Sequence, residues 1–317
     1  MADDILASTD NVADALDLSG AEISNLLNGA PLVARLPAIE SSNGTTHKYI
    51  NETGAPTVGW RAENTGREFD HSTDTVVTET LTIMDFSWGV DKAVADAWRR
   101  GGPEALIARE GARHLRAALY AYEVQLINGT VTQNGGSASG FAGLCDEATL
   151  DKTGDTMVTD AGGTTATTGS SVWLMNVGDL GVQAVYKGDG DPLELGETIV
   201  QDFCEADAHY PIYYTPACAW LGIQIGGAYT VGRICNLTED AGCGLTDDLI
   251  YESLANFPAD RNPNLIVMNR RSMRQLRDSR TATNATGAPA PRPTEVDGIP
   301  IIVTDAISNV EAIVAAS

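Results

Sequence analysis

The chain has 317 residues, 43% of them apolar, and 43 acidic against 20 basic residues give a formal net charge of −23. The apolar share suffices for one large or two ordinary cores and excludes a disordered chain, while the acidity excludes a generally sticky nucleic-acid binder, so any contact with DNA must be local. No stretch approaches the ~20 continuous apolar residues of a membrane span, and the start Met1-Ala2-Asp3-Asp4 lacks the basic-then-apolar run of a signal peptide, so a soluble protein made in a cytoplasm is expected.

Residues 1–48 carry six acids before the first base, Arg35, and one short helical pattern, Ile23, Leu26 and Leu27, that ends near Gly29 and Pro31. So little of this segment could form a core that it reads as an arm packing on something else. From Tyr49 the composition turns to Gly, Thr and Pro, and then to a strand-like run, Val76–Phe86. In that run Val77, Leu81 and Ile83 share one face with Glu79, and Thr78, Thr80 and Thr82 line the other. A two-stranded arm is a poor independent unit and needs a neighbour.

A helical start at Val90–Trp98 is interrupted at Gly101-Gly102. Pro103 then suits a helix N-terminus, where its missing N–H costs nothing, and Glu104 complements the dipole. The spacing predicts a helix over 104–127 with Leu115, Leu119, Tyr122 and Leu126 on one face and Arg109, Arg113 and Arg116 on the other. At ~1.5 Å per residue it would be roughly 35 Å long, enough to cross a domain.

Residues 129–170 are Gly- and Thr-rich, including Asn134-Gly135-Gly136, and read as loops around Phe141–Leu144. Short strands are predicted at Ser171–Val177, Val182–Tyr186, Ile212–Tyr214, Trp220–Ile225 and Tyr229–Asn236. A helix fits 246–257, with Thr246 as N-cap, Asp247 and Asp248 in the first turn, and Pro258 as the stop. Strand Asn264–Met268, an Arg-rich helix from Arg270 to about Asp278, and strand Ile299–Thr304 complete the chain.

The motifs of nucleotide-binding loops, nucleophile elbows and zinc helices are absent. Lys187-Gly188-Asp189-Gly190-Asp191 lacks the ligands of a calcium loop and reads as an acidic turn. His47, His71, His114 and His209 form no cluster, and His114 suits a surface or interface position. Cys145, Cys204, Cys218, Cys235 and Cys243 show no metal-binding spacing and read as small buried hydrophobes in a reducing compartment. No catalytic residue, metal or cofactor is assigned.

Basic residues are informative because they are scarce. Arg270, Arg271, Arg274, Arg277 and Arg280 place five of the 16 arginines within eleven residues, with Arg270, Arg274 and Arg277 on one stripe opposite Met273 and Leu276. Three readings stand: a solvated face offsetting local acids, an inter-subunit Arg–carboxylate interface, and a phosphate-facing patch. The stripe Arg109/Arg113/Arg116 is the better candidate for facing DNA.

The segment Thr57-Val58-Gly59-Trp60-Arg61-Ala62-Glu63, then Phe69, the strand at 76–86 and Trp88–Lys92, resembles the extended loop of tailed-bacteriophage major capsid proteins, the HK-97-like fold. The helix at 104–127 resembles that family's spine helix. Val267-Met268-Asn269 before an Arg-containing helix, followed by Val296-Asp297-Gly298-Ile299-Pro300, is similar to its closing region. Trp220-Leu221-Gly222 and Val231–Asn236 look like axial-domain strands.

The resemblance implies an α+β fold with an N-terminal arm (1–48), an extended β-loop (49–88), a peripheral domain with the spine helix (89–140 and 259–317) and an axial domain (141–258). It implies a shell of hexamers and pentamers enclosing double-stranded DNA, in a virion assembled in the host cytoplasm. Trp60, Arg61, Glu63, Arg67, Arg270, Arg274 and Arg277 would stand at inter-subunit contacts, with Arg61 and Glu63 on one strand face. Arg109, Arg113 and Arg116 would face weakly and non-specifically held DNA. A portal protein, a separate scaffolding protein or none, and a cementing protein are the further partners implied. Residues 51–80 contain no Lys, so the Lys–Asn weld of some relatives is not expected. An encapsulin-type compartment, and an acidic α+β hydrolase or binding protein, are the alternative readings.

Overall fold

The computed structural model describes residues 26–54, 56–130, 140–147, 150–188, 192–205, 208–227, 229–282 and 288–315. In chain order the first elements are β1 (Ala38–Glu40), β2 (Thr46–Gly54), β3 (Thr73–Thr80), β4 (Thr82–Asp85), β5 (Trp88–Asp91), α1 (Lys92–Asp96), α2 (Gly102–Asn128) and α3 (Leu144–Glu147). Strands β6 (Val158–Asp160), β7 (Val172–Met175), β8 (Val182–Tyr186), β9 (Glu194–Leu195), β10 (Ile199–Glu205), β11 (Ala208–Thr215), β12 (Ala217–Ile225) and β13 (Val231–Cys235) follow. The last elements are α4 (Asp247–Ala255), β14 (Leu265–Met268), α5 (Arg270–Ala282), β15 (Glu295–Val296) and β16 (Ile299–Val303).

Four sheets result. A two-stranded antiparallel ribbon pairs β2 with β3, and a three-stranded sheet runs β10-β11-β5. A five-stranded sheet runs β1-β8-β12-β4 with β9 also on β12, and a six-stranded sheet runs β15-β16-β14-β7-β13-β6. The central strands β14 and β7 of the six-stranded sheet read as apolar runs, Leu265-Ile266-Val267-Met268 and Val172-Trp173-Leu174-Met175, because they are buried on both faces.

Helix α2 ties the two large sheets together. At 27 residues it is about 40 Å long, and Leu115, Leu119, Tyr122 and Leu126 are buried as the spacing requires. The Tyr122 hydroxyl donates to the carbonyl of Gly222 in β12 at 3.1 Å. A side chain at Gly222 would meet Leu81 at 2.6 Å, so the missing Cβ lets the end of the ribbon lie over the five-stranded sheet. On the next residue of the helix, Glu123 reaches Thr304 just past β16. The break before α2 has a backbone cause: Gly101 and Gly102 have φ of 91° and 78°, which L side chains rarely adopt.

Several expectations are corrected. Leu26, Ala30, Leu32, Val33, Leu36 and Ala38 of the expected arm lie in this chain's own core, and β1 joins β8 in parallel. Ile23 and the rest of 1–25, like Asn134-Gly135-Gly136 and Asp189-Gly190-Asp191, fall outside the described residues. The run 76–86 is two strands that part at Leu81, β3 pairing with β2 and β4 with β12. That break shifts the alternation by one residue, so Val77, Glu79 and Leu81 face inward but Ile83 is 51% exposed. The helical start at 90–98 is strand β5 followed by the five-residue α1, capped by the Asp91 carboxylate on the Ala93 amide.

The expected strand at 212–214 is longer and has a partner, β10, that the sequence pattern does not announce. The loops of 129–170 contain α3 and β6. Strand β14 pairs with β7, so a boundary at 258/259 cuts through the six-stranded sheet. All five cysteines are free, but only Cys235 is buried, its thiol pushed up to about 12 by burial, and Cys204 is exposed.

Candidate assembly interface

The β2–β3 ribbon projects an exposed loop. Ile50 and Val76, direct cross-strand partners, are both exposed. Beyond them, Trp60 at 103% and Phe69 at 94% relative exposure touch nothing that shields them. Residues 57–72 contain no strand, which corrects the expectation that Arg61 and Glu63 share a strand face. Instead the loop folds on its own backbone. The Thr57 amide donates to Asp70 Oδ2 at 2.7 Å, and Arg67 donates to the Thr57 carbonyl. The Thr57 backbone hydrogen bond holds the Asp70 carboxyl below its usual range, aided by the Thr57 side chain and the His71 amide. Arg61 donates to the Thr65 carbonyl at 3.2 Å, next to Asn64 in the left-handed region at φ 57°. Large aromatic groups are thus displayed in a defined loop while wholly in water, which is unfavourable unless something covers them.

The root of the ribbon is fixed by His47. The Ser42 amide donates to His47 Nδ1 at 3.2 Å, so Nδ1 is an acceptor and the proton sits on Nε2. Nε2 then donates to Gln224 Oε1 in β12 at 2.8 Å, tying the arm to the five-stranded sheet.

The arginines on α2 are exposed as expected. Arg109 lies over the Trp98 ring at 5.7 Å, Arg113 pairs with Glu110 at 2.6 Å, and Arg116 rests against Gly29. The arginines of α5 have partners within the chain. Arg270 reaches Asp305 at 3.1 Å, Arg274 donates to Glu239 at 2.6 Å, and Arg277 Nε donates to the Ala290 carbonyl at 2.8 Å. Arg270, Arg274 and Arg277 still line a groove of about 470 Å³ together with Arg292. Arg271 instead closes the carbonyls of Thr168, Leu237 and Asn309, and Arg280 forks onto both oxygens of Asp247. The two structural arginines are therefore the ones off the stripe.

Two buried charges escape a reading by motif. Glu123, 0% exposed, accepts the amides of Leu32 at 3.0 Å and Val33 at 3.3 Å and the hydroxyl of Thr304. Burial pushes its carboxyl up, against the opposing pull of these donors. Arg233 pairs with Glu311 at 3.3 Å, donates to Ser171 Oγ at 2.9 Å and to the Leu150 carbonyl at 2.8 Å, and lies over the Trp173 ring. The available signal was an acid on the apolar stripe of a helix and an Arg inside the run Val231–Cys235. Among the described residues no group of three or more His, Cys, Asp or Glu is placed to hold a metal, and no helix is long and apolar enough to cross a membrane.

An α+β chain with a long helix between two sheets and an overhanging β-arm is the HK-97-like capsid architecture. Its fold is shared by a chain of the cryo-EM structure of bacteriophage Epsilon15, at TM-score 0.63 and 20% identity over 88% of each chain. The family described as Major capsid protein GP7 matches residues 17–315, and the chain belongs to that family. It is a structural component of the virion, the subunit that assembles with copies of itself into a head shell. The bacteriophage JBD30 capsid (TM-score 0.47, 12% identity, 86% of this chain and 88% of that one) is a more distant likeness. So is the SrpI encapsulin of Synechococcus elongatus PCC 7942 (0.44, 11%, 66% and 88%); at these values neither adds to the assignment. No curated protein matches the chain.

Proposed function

We propose that copies of this chain form the hexamers and pentamers of an icosahedral shell around double-stranded phage DNA, with the extended loop as the element that joins neighbours. The observation that carries this reading is the loop itself: Trp60 and Phe69 are held in a defined conformation and fully exposed, a state that burial against a neighbouring subunit resolves. The mechanism is geometric and uses no catalytic residue. Weak contacts repeated over many copies give a strong shell.

In this reading Trp60, Arg61, Glu63 and Arg67 work at the loop contact. Arg270 and Arg274 exchange or share their exposed carboxylate partners at a second contact, with Arg277 beside them, since exposed ion pairs are weak enough to be rearranged. Arg109, Arg113 and Arg116 line the interior and meet DNA without sequence preference. A net charge of −23 is compatible with that role because DNA driven in by a motor need not bind the wall. A portal protein, a scaffolding protein if one is used, and a cementing protein complete the assembly, which takes place in the host cytoplasm. The double variant Trp60→Ala, Arg61→Glu tests the loop: its subunit is expected to fold and fail to close shells, and normal particles from it would contradict the reading.

A further inference from the structure

The three-stranded sheet carries a second exposed apolar feature. Trp88, Phe203, Tyr210, Ile212 and Tyr214 line a groove of about 610 Å³ together with Asp91. That volume is within the ~300–1,000 Å³ of pockets that enclose a bulky group. Phe203 is 44% exposed, and Ile199 and Val200 on the same strand are half exposed. Strand β10 is the end strand of its sheet, with no strand beyond it among the described residues. The indole N–H of Trp88 is buried and without a hydrogen-bond partner among the described residues, a donor that needs an acceptor brought in from elsewhere. Asp91 lines the groove, and no Lys or Arg is part of the lining.

We propose that this groove receives the tip of the extended loop of a second copy, with Trp60 seated among the aromatic rings and Arg61 against Asp91. The proposal rests on the shell reading and names the surface that the loop grips. The two features match in kind: the loop offers an exposed indole beside a cation, and the groove offers aromatic rings, with Phe203 exposed among them, beside a carboxylate. Stacked aromatic pairs with a neighbouring charge pair give both affinity and register. The loop of the same chain leaves Trp60 fully exposed, so the plug must come from a neighbour. A plug and a socket on different faces make a heterologous contact, the kind that builds rings and extended assemblies.

The test places Ala62→Cys, two residues from the plug, and Gln201→Cys, in the lining of the socket, in separate chains, both carrying Cys204→Ser to remove the exposed native thiol next to the socket. Particles assembled from the mixture are treated with a short bismaleimide, and linked peptides are identified by mass spectrometry. A link from position 62 of one chain to position 201 of another is expected, and is lost when either variant is assembled alone. Shells in which position 62 links elsewhere, or not at all, overturn the groove and leave the shell reading intact. If either variant does not assemble, hydrogen exchange on the unaltered protein decides. Residues 57–70 and strands β10 and β11 are expected to slow together on going from subunit to shell, and unchanged exchange in the two strands overturns the proposal. Absence of shells from the unaltered protein overturns both readings.

Discussion

Thr304 donates its hydroxyl to Glu123 across 181 positions of sequence, and the same carboxylate accepts the amides of Leu32 and Val33. One buried acid on the spine helix therefore joins the start of the chain, the long helix and the end of the closing strand. Removing it leaves two buried N–H groups unsatisfied. Glu123→Ala is expected to lower stability by roughly 2–4 kcal/mol, read by denaturant unfolding, whereas Glu123→Gln, which keeps an acceptor, loses less.

The same residue gives a pH dependence with a definite sign. Burial raises the Glu123 carboxyl above its usual value of 4.5. Below the unfolded value both states are protonated and there is no penalty. As pH rises from the unfolded value through the raised folded value, the unfolded chain releases this proton while the buried carboxyl still holds it, and stability falls. Thermal melts across this range should show that loss in the wild type, and the wild-type minus Glu123→Gln difference should isolate it. A difference that does not change with pH contradicts the assignment.

Arg233 anchors the C-terminal segment through Glu311. Because Arg233 is buried and the Glu311 side chain is only 11% exposed, removing one charge strands the other in a poorly solvated place, and Arg233→Met is expected to destabilise by about 3–5 kcal/mol. The double variant Arg233→Met, Glu311→Leu should lose clearly less than the sum of the singles in urea unfolding.

At the root of the arm, His47→Ala removes both the acceptor for the Ser42 amide and the bond to Gln224. Hydrogen exchange should quicken in β2 and β3 and stay unchanged in β7, β13 and β14. Uniform acceleration would show that the ribbon and the core open as one unit.

On α5, Arg270→Ala and Arg274→Ala break ion pairs that are largely in water, so each should change subunit stability by less than ~1 kcal/mol. A fall in particle yield without that loss would place them at a contact between copies. Unchanged yield would make them a solvated face.

The parts legible in the sequence are those whose partners are near. Leu115, Leu119, Tyr122 and Leu126 define the spine helix by spacing alone, and Thr246 caps α4 through its hydroxyl on the Leu249 amide. Strand β10 was hidden because Ile199 and Val200 are adjacent, followed by Asp202, Cys204 and Glu205, so no alternation marks a buried face. The pairing of β14 with β7, and the burial of Leu32 and Val33, depend on residues far away in the chain. The exposed loop around Trp60 could be read from composition, but its fold on Thr57 depends on side chains ten and thirteen residues away. The acids that meet Arg270 and Arg274 likewise lie 35 positions off.

The central claim is that this chain builds shells, and electron microscopy in negative stain after size-exclusion chromatography tests it most directly. Closed particles or rings of subunits are expected from the purified protein. A 33.4 kDa monomer that persists at high concentration and high salt would contradict the account.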